Sequence, residues 1–272
     1  MSIVSTILGP LYVDDQGSAD LPAALLWPSL FNDHHMWDYQ AVALRAAGWR
    51  TVALDPPGHG HSPGPGRRFT MDECVEAAVQ VLDAIEVVAP VVLFGTSWGG
   101  IVAPRVALRI PNRVKALVLT NTTAERPTFL TRANAILLTK LLAIGAFDNT
   151  VDRLIMSLNL APATRLREPM LAANLAARFR SWDRRAVIES VRSVLVDRDG
   201  ALDALSAVHV PTLIVSGAED TVLPSALSRR IAEKMPNARH VEVPGAAHLV
   251  PLEQPQAANE LILNFLQQLP RA

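Results

Sequence analysis

The chain is nearly free of cysteine, with Cys74 as the single one among 272 residues. A disulfide framework needs paired cysteines, and cysteine-rich zinc sites need several cysteines close together. Both classes of protein are therefore excluded. Internal repeats and low-complexity tracts are also lacking.

Long apolar runs and an excess of one charge are missing as well. No segment offers the roughly 18 consecutive apolar residues of a membrane-spanning helix, and residues 1–5 lack the basic and apolar regions of a signal peptide. The formal net charge is −1, so nothing favours nucleic acid or an anionic membrane electrostatically. We expect a cytoplasmic protein without a nucleic-acid or membrane partner.

Half of the residues are hydrophobic, which at this length allows one large α/β domain or a domain with an inserted subdomain. Residues 1–20 predict an antiparallel hairpin at a sheet edge, and strands then alternate with helices. The predicted strands are Ala23–Trp27, Thr51–Leu54, Val91–Phe94, Val114–Leu119, Pro211–Ser216 and His240–Val243. The main predicted helices between and after them are Met36–Ala47, Met71–Ile85 with a capping box from Thr70 to Glu73, a helix after Gly100, and Pro255–Leu269.

Strand signals stop between residues 124 and 207, where only helical patterns follow one another. These predicted helices are Leu130–Ile144, Val151–Leu158, Leu166–Phe179 and Arg184–Val196. We predict an α/β fold with a mostly parallel sheet, helices on both faces, and a helical cap inserted after the sixth strand. Residues 1–123 and 208–272 would form the core domain, and residues 124–207 the cap over the carboxyl ends of the strands.

A serine lies between two glycines in Gly95-Thr96-Ser97-Trp98-Gly99, which matches the pattern G-x-S-x-G. Because a strand precedes it and a helix follows, the serine is predicted to occupy a strained turn with its hydroxyl exposed. The flanking glycines suit a turn that leaves no room for a Cβ. The following helix would direct free N–H groups toward the serine. These features predict Ser97 as a nucleophile rather than an ordinary turn serine.

An acid and a histidine follow at the ends of two later strands. Asp220 comes after the strand Pro211–Ser216, and His248 lies in the loop after the last strand, so both are expected at the same sheet edge as Ser97. His248 would take the serine proton, and Asp220 would fix the imidazole tautomer and stabilise its cation. Taken singly, each is more often an ordinary loop residue, and Glu219 competes with Asp220. Together, in this order, the three predict a catalytic triad.

The chain resembles the α/β-hydrolase superfamily over residues 21–269. Besides the serine turn, the matching motifs are Asp55-x-x-Gly58-His59-Gly60-x-Ser62, Gly217-x-x-Asp220 and Gly245-x-x-His248. Two further segments, Pro28–Asp38 and Arg113–Thr122, are similar to the 3-oxoadipate enol-lactonase group, which has Ser-Leu where most relatives carry His-Gly. The chain departs from the superfamily pattern at Trp27-Pro28, at Pro56-Pro57 and at the bulky Trp98.

The superfamily pattern implies an oxyanion hole of two backbone N–H groups, from Trp98 and Leu30. Pro28 has no N–H and is excluded. The resemblance implies no cofactor. We predict no metal either, because no carboxylate–histidine set lies beside His34 and His35 at a metal-like spacing. A pocket rim or surface position is the better interpretation of these two histidines.

The predicted cap is rich in arginine. One of its arginines could bind a substrate carboxylate through a bidentate contact, although solvated helix faces explain most of them. They are Arg165, Arg167, Arg178, Arg180, Arg184 and Arg185. The apolar cap residues are more often core than pocket wall: Phe129, Leu137, Phe147 and Trp182.

The sequence therefore predicts a cofactor-free serine hydrolase that cleaves a carboxylic ester or lactone of a small molecule through an acyl-enzyme. Ser97 excludes the aspartate nucleophile that haloalkane dehalogenases and epoxide hydrolases of the superfamily use. Other readings stay open: a carbon–carbon bond hydrolase of aromatic degradation, a perhydrolase or haloperoxidase side activity, and a ligand receptor on the same scaffold. The sequence leaves open the exact substrate and whether the protein forms a homodimer.

Overall fold

The computed structural model describes residues 2–145 and 148–270. Its centre is an eight-stranded sheet in the order β1-β2-β4-β3-β5-β6-β7-β8. Strand β2 pairs antiparallel with β1 and β4, and all other pairs are parallel. The strands are β1 (Ser2–Thr6), β2 (Gly9–Gln16), β3 (Ala23–Trp27), β4 (Arg50–Leu54), β5 (Val91–Thr96), β6 (Val114–Thr120), β7 (Thr212–Gly217) and β8 (Ala238–Val243).

Helices cover both faces of this sheet. Helices α1 and α11 pack together, as do α2 and α3, and α9 packs on β7 and β8. The helices of the core are α1 (Asp38–Ala46), α2 (Met71–Ala84), α3 (Trp98–Arg109), α9 (Ser225–Lys234), α10 (Val250–Glu253) and α11 (Pro255–Gln267). Those inserted between β6 and β7 are α4 (Phe129–Ile144), α5 (Asp148–Asn159), α6 (Pro162–Arg167), α7 (Pro169–Ser181) and α8 (Arg184–Arg192).

The central strands are mostly apolar and buried because both of their faces are covered. Every residue of β3, β4, β5 and β7 is buried, as expected for parallel strands between two helical layers. Helix α2 begins as predicted: the Glu73 N–H donates to Thr70 Oγ1 (3.2 Å), and the Thr70 N–H donates to Glu73 Oε2 (2.9 Å). The predicted α/β-hydrolase fold, with its helical insert after β6, is confirmed.

The strand order reverses at β3, which lies between β4 and β5. The chain leaves β3 toward β4 and then returns to the other side of β3 to form β5. In open α/β sheets, such a switch point opens a crevice at the carboxyl ends of the strands, where ligands bind. The turn after β3 and the serine turn after β5 border this crevice.

The inserted helices differ in detail from the prediction. The predicted helix Leu166–Phe179 is divided at Glu168, because Pro169 lacks an N–H and disfavours helical backbone at the residue before it. Helix α8 ends at Arg192 and continues as a π-helical turn, Ser193–Asp197. Helix α9 has no counterpart among the predicted elements. No helix within the described ranges is long and apolar enough to cross a membrane.

Two apolar residues of α4 do not belong to the core, contrary to expectation. Phe129 is 88% exposed and Leu137 57% exposed, because the buried stripe of this helix is formed by Ala135, Thr139 and Leu142 instead. Trp182 is partly buried against the core, whereas Phe147 lies outside the described residues.

Candidate active site

Ser97 occupies a backbone conformation that few residues other than glycine adopt, with φ at +51°. Its N–H donates to the Thr120 carbonyl (2.9 Å), and its carbonyl accepts from the Ile101 N–H (2.9 Å) and the Thr122 hydroxyl (2.8 Å). Strand β5 ends at Thr96 and α3 begins at Trp98, so these contacts hold the turn between them. The predicted nucleophile thus lies on a strained strand-to-helix turn and is partly exposed.

The two flanking glycines are required by close backbone approach. A Cβ on Gly95 would overlap the backbone of Gly99, and a Cβ on Gly99 would overlap the Trp27 carbonyl at the end of β3. The Gly99 N–H also donates to the Pro28 carbonyl (3.2 Å). These glycines therefore let the serine turn pack directly against the turn after β3.

Asp220 and His248 are in direct contact, with 2.8 Å between Asp220 Oδ2 and His248 Nδ1. Both side chains are almost fully buried. Asp220 Oδ1 accepts the N–H groups of Val222 and Leu223, each at 2.9 Å. This arrangement orients the histidine so that Nε2 is the ring atom turned away from the acid and suited to act as a base.

Burial by itself would raise the pKa of Asp220, but the charge and hydrogen bond of His248, the Leu223 N–H and the Asn121 amide together hold it below its usual value. The carboxyl group is therefore ionised at neutral pH and can stabilise an imidazolium on His248. Glu219, the competing acid, has an exposed side chain, and its N–H donates to the Ala246 carbonyl (2.9 Å). The geometry thus joins Asp220, not Glu219, to the histidine.

Two consecutive residues after β6 connect the serine turn to the acid, and the sequence analysis did not single them out. Asn121 Nδ2 donates to Asp220 Oδ2 (3.0 Å) and to the Ala247 carbonyl (2.8 Å), while the Thr122 hydroxyl donates to the Ser97 carbonyl. Asn121 also has a positive φ of 47°. The sequence did contain a signal for these two residues: they directly follow β6 and therefore lie at its carboxyl end, between the ends of β5 and β7.

Within the described residues, no hydrogen bond joins the Ser97 hydroxyl to His248. Such contacts often tighten only when substrate binds.

The two predicted oxyanion donors are both available. Neither the Leu30 nor the Trp98 N–H has a protein hydrogen-bond acceptor within the described part of the chain. The Trp98 side chain is fully buried and packs edge-on against Trp27. The bulky side chain after the serine therefore lies in the core, and its N–H is the first of helix α3.

A histidine supports the turn that carries Leu30. The next residue, Phe31, has φ +63°, and its N–H donates to His59 Nε2 (3.1 Å), while His59 Nδ1 lies 3.0 Å from the Pro57 carbonyl. Burial lowers the pKa of His59 to about 4. The ring is therefore neutral at pH 7 and keeps the acceptor nitrogen that the Phe31 N–H needs.

The inserted helices contact the same turn through helix α7 and the residue that follows it. The Phe31 and Phe179 rings meet edge to face at 5.3 Å, and the Trp182 ring lies 4.9 Å from His59. Arg178 Nη1 is 3.3 Å from Asp33 Oδ1, so this arginine is paired with the turn. The other predicted arginines include Arg180, paired with Asp152, Arg167 with Glu168, and Arg185 with Glu189.

One expectation about the nearby histidines is wrong. A carboxylate does lie beside His34: Asp55 Oδ1 is 2.6 Å from His34 Nδ1, and Asp55 Oδ2 is 3.1 Å from His61 Nδ1. These groups meet because β3 and β4 are neighbouring strands, so the turns that follow them lie side by side. The same turns are far apart along the chain. His34 is buried rather than at the surface, and His35 is partly exposed beside Asp38.

His34, Asp55 and His61 are also the residues that could hold a metal ion, since their ligand atoms all lie within 4.8 Å of one another. However, each Asp55 oxygen already accepts a backbone N–H, from His34 (2.8 Å) and from His61 (2.7 Å). The histidine nitrogens complete its hydrogen bonds. The hydrogen bonds of Asp55 therefore join the two turns without requiring an ion.

Comparison with known proteins agrees with this geometry. Residues 22–255 match the family described as the alpha/beta hydrolase fold. The chain belongs to this family and is a hydrolase of the α/β fold.

Individual relatives cover nearly the whole chain. It is 24% identical over 280 residues to the bifunctional esterase/perhydrolase DCH of Acinetobacter calcoaceticus, covering 94% of this chain and 96% of that protein. A hydrolase from Pseudomonas aeruginosa PA01 superimposes with a TM-score of 0.88 at 29% identity, covering 97% of each chain. The enol-lactonase from Burkholderia xenovorans LB400 superimposes with a TM-score of 0.89 at 22% identity, covering 98% of this chain and 100% of that one, which supports the fold.

Proposed function

We propose that the protein is a serine hydrolase that cleaves a carboxylic ester or lactone of a small molecule. The observation that carries the proposal is the buried Asp220–His248 pair, 2.8 Å apart, at the sheet edge where Ser97 holds its strained turn. The esterase among the relatives supports the same reaction class. No cofactor is needed for this chemistry.

In the proposed mechanism, Ser97 Oγ attacks the carbonyl carbon while His248 Nε2 accepts the hydroxyl proton. The N–H groups of Leu30 and Trp98 stabilise the oxyanion of the tetrahedral intermediate, and the positive end of the α3 dipole adds to this. The intermediate collapses to the acyl-enzyme as the protonated His248 gives its proton to the leaving alkoxide. A water molecule activated by His248 then releases the acid. With a lactone, the alcohol and the acid leave as one hydroxy acid.

We also propose that residues 124–207 act as a cap over this site, with residues 1–123 and 208–272 as the core domain. The packing of Phe179 on Phe31 and of Trp182 on His59 supports this division, because α7 lies against the turn that carries Leu30. A pocket closed by such a cap suits a small substrate.

The test is proton release in a weakly buffered indicator assay, with purified protein, a panel of lactones and matched linear short-chain esters. We expect turnover that Ser97→Ala abolishes. A preference for lactones supports the similarity to enol-lactonases, and a preference for linear esters limits the proposal to an esterase. Absence of turnover on the whole panel would contradict the proposal and favour the carbon–carbon hydrolase or the receptor.

A further inference from the structure

A second carboxylate, Glu253, lies fully buried beneath the loop that carries His248. Its Oε1 accepts the N–H groups of Ala247 (2.9 Å) and Leu249 (3.1 Å), the two neighbours of the histidine. Its Oε2 accepts the N–H of Ala161 (2.6 Å), which lies between α5 and α6 of the cap. One side chain thus binds the histidine loop and the cap together.

The backbone of His248 itself also contacts the cap. The His248 N–H donates to the Asn159 carbonyl at the end of α5 (3.1 Å). All three consecutive N–H groups of residues 247–249 are therefore engaged, two by Glu253 and one by the cap. Arg167 Nη2 adds another connection, since it donates to the Glu253 carbonyl (2.8 Å).

The charge of Glu253 matters for this arrangement. Burial raises the pKa of Glu253, although the N–H groups of Ala161, Leu249 and Ala247 act in the opposite direction. The ionised carboxylate has two acceptor oxygens and can serve both sides at once. A neutral side chain with one acceptor oxygen can serve either the loop or the cap.

We propose that Glu253 is a positioning residue that fixes His248 against Asp220 and couples this alignment to the α5–α6 junction of the cap. It acts through the backbone of Ala247 and Leu249 and does not touch the reacting atoms. The proposal rests on the proposed serine-hydrolase function. A histidine displaced by about 1 Å is expected to lose on the order of a hundredfold in rate.

The test uses a fluorophosphonate probe, which needs no knowledge of the natural substrate. Ser97 Oγ attacks phosphorus, fluoride leaves, and His248 takes the serine proton. In Glu253→Gln, the single amide oxygen serves either Ala247 and Leu249 or Ala161, and the NH₂ group then faces the remaining N–H. We expect full labelling at the end point but a rate constant roughly 10–100-fold below that of the original protein. Glu260→Gln removes an exposed charge on α11 and should label at the unchanged rate.

The two readouts separate the outcomes. A lower labelled fraction with an unchanged rate constant would mean that Glu253 only supports folding and would overturn the proposal, as would an unchanged rate and fraction. Failure of the unsubstituted protein to label at all, with Ser97→Ala identical to it, would instead refute the serine-hydrolase function.

Two further measurements apply if Glu253→Gln does not fold. Glu253→Asp keeps both oxygens on a shorter side chain, and we expect it to fold and to label at an intermediate rate; labelling at the full rate would contradict the proposal. In the unsubstituted protein, the amide hydrogens of Ala161, Ala247 and Leu249 should exchange slowly and to a similar extent, because they share one acceptor group. Fast exchange at Ala161 alone would contradict the coupling to the cap.

Discussion

Two buried aspartate–histidine pairs lie at the carboxyl edge of the same sheet. In one, Asp220 follows β7 and contacts His248; in the other, Asp55 follows β4 and contacts His34. The distances are 2.8 and 2.6 Å, both carboxylates are inaccessible to solvent, and both have a pKa below the usual value despite the opposing effect of burial.

The pairs differ in which other groups donate hydrogen bonds to the aspartate. Asp220 accepts the N–H groups of Val222 and Leu223, which follow it directly, and the amide of Asn121. Among the described residues, His248 is its one histidine partner. Asp55 is occupied by the ring and backbone nitrogens of both His34 and His61, and joins their turns. An aspartate that orients a histidine is therefore not evidence of catalysis by itself. What distinguishes the candidate catalytic pair is the strained serine turn at the same sheet edge, together with the predicted oxyanion donors.

The largest difference between the pairs should be seen in turnover. Asp220→Asn keeps an acceptor for Val222 and Leu223 but donates to His248 and favours the wrong tautomer, so we expect kcat to fall about 10³–10⁴-fold. Steady-state kinetics on the best substrate of the panel measure this. Glu219→Gln, one residue away and exposed, is the matched control and should leave kcat unchanged. Activity of Asp220→Asn close to that of the control would remove Asp220 from the proposed triad.

Substitution in the Asp55 pair should lower the stability of the protein rather than its turnover. Asp55→Asn retains one acceptor oxygen and turns an NH₂ group toward donors from His34 or His61, which should lower the free energy of unfolding by about 2–4 kcal/mol. Urea denaturation measures this, while the labelling rate of the folded fraction should change by less than about tenfold. The control is Asp38→Asn, an exposed aspartate whose partner His35 is partly exposed. A rate loss as large as that of Asp220→Asn would show that both pairs serve catalysis.

The smallest expected effect is a pH dependence of the His34 contact. Burial tends to lower the pKa of His34, but the hydrogen bond and charge of Asp55 raise it overall. A raised pKa contributes stability that is fully present below the pKa of the unfolded chain, about 6.5, and is lost as pH rises through the folded value. His34→Gln should therefore be more destabilised, relative to the unsubstituted protein, at pH 5.5 than at pH 8.5. Urea denaturation at both pH values measures this, and the control His35→Gln should lose about the same stability at each. An equal loss of stability for His34→Gln at both pH values would refute a raised pKa as the cause.

The sequence predicts the sheet well because its signals are local. The apolar runs give β3 to within its observed bounds, the capping box gives the start of α2, and the glycines around Ser97 give the strained turn. Asp220 and His248 follow from their places after β7 and β8. The helical insert is less predictable, since residues such as Phe129 are apolar without being buried, and only the packing of α4 decides this.

Contacts that join distant segments could not be predicted from the sequence. Asp55 meets His34 across 21 residues, Asn121 meets Asp220 across 99, and Glu253 meets Ala161 across 92. Each depends on which turns are neighbours at the sheet edge, and therefore on strand order rather than on spacing along the chain. The expectation that His34 lacks a nearby carboxylate failed for this reason.

The strained turn at Ser97 has an evolutionary consequence. A left-handed backbone at a residue other than glycine costs about 1–3 kcal/mol, and glycine would adopt the same backbone without this cost. The position is therefore one where the most stable residue and the proposed nucleophile differ. Glycine there would remove the hydroxyl, so the proposed nucleophile is kept at a cost in stability that its proposed chemistry would offset.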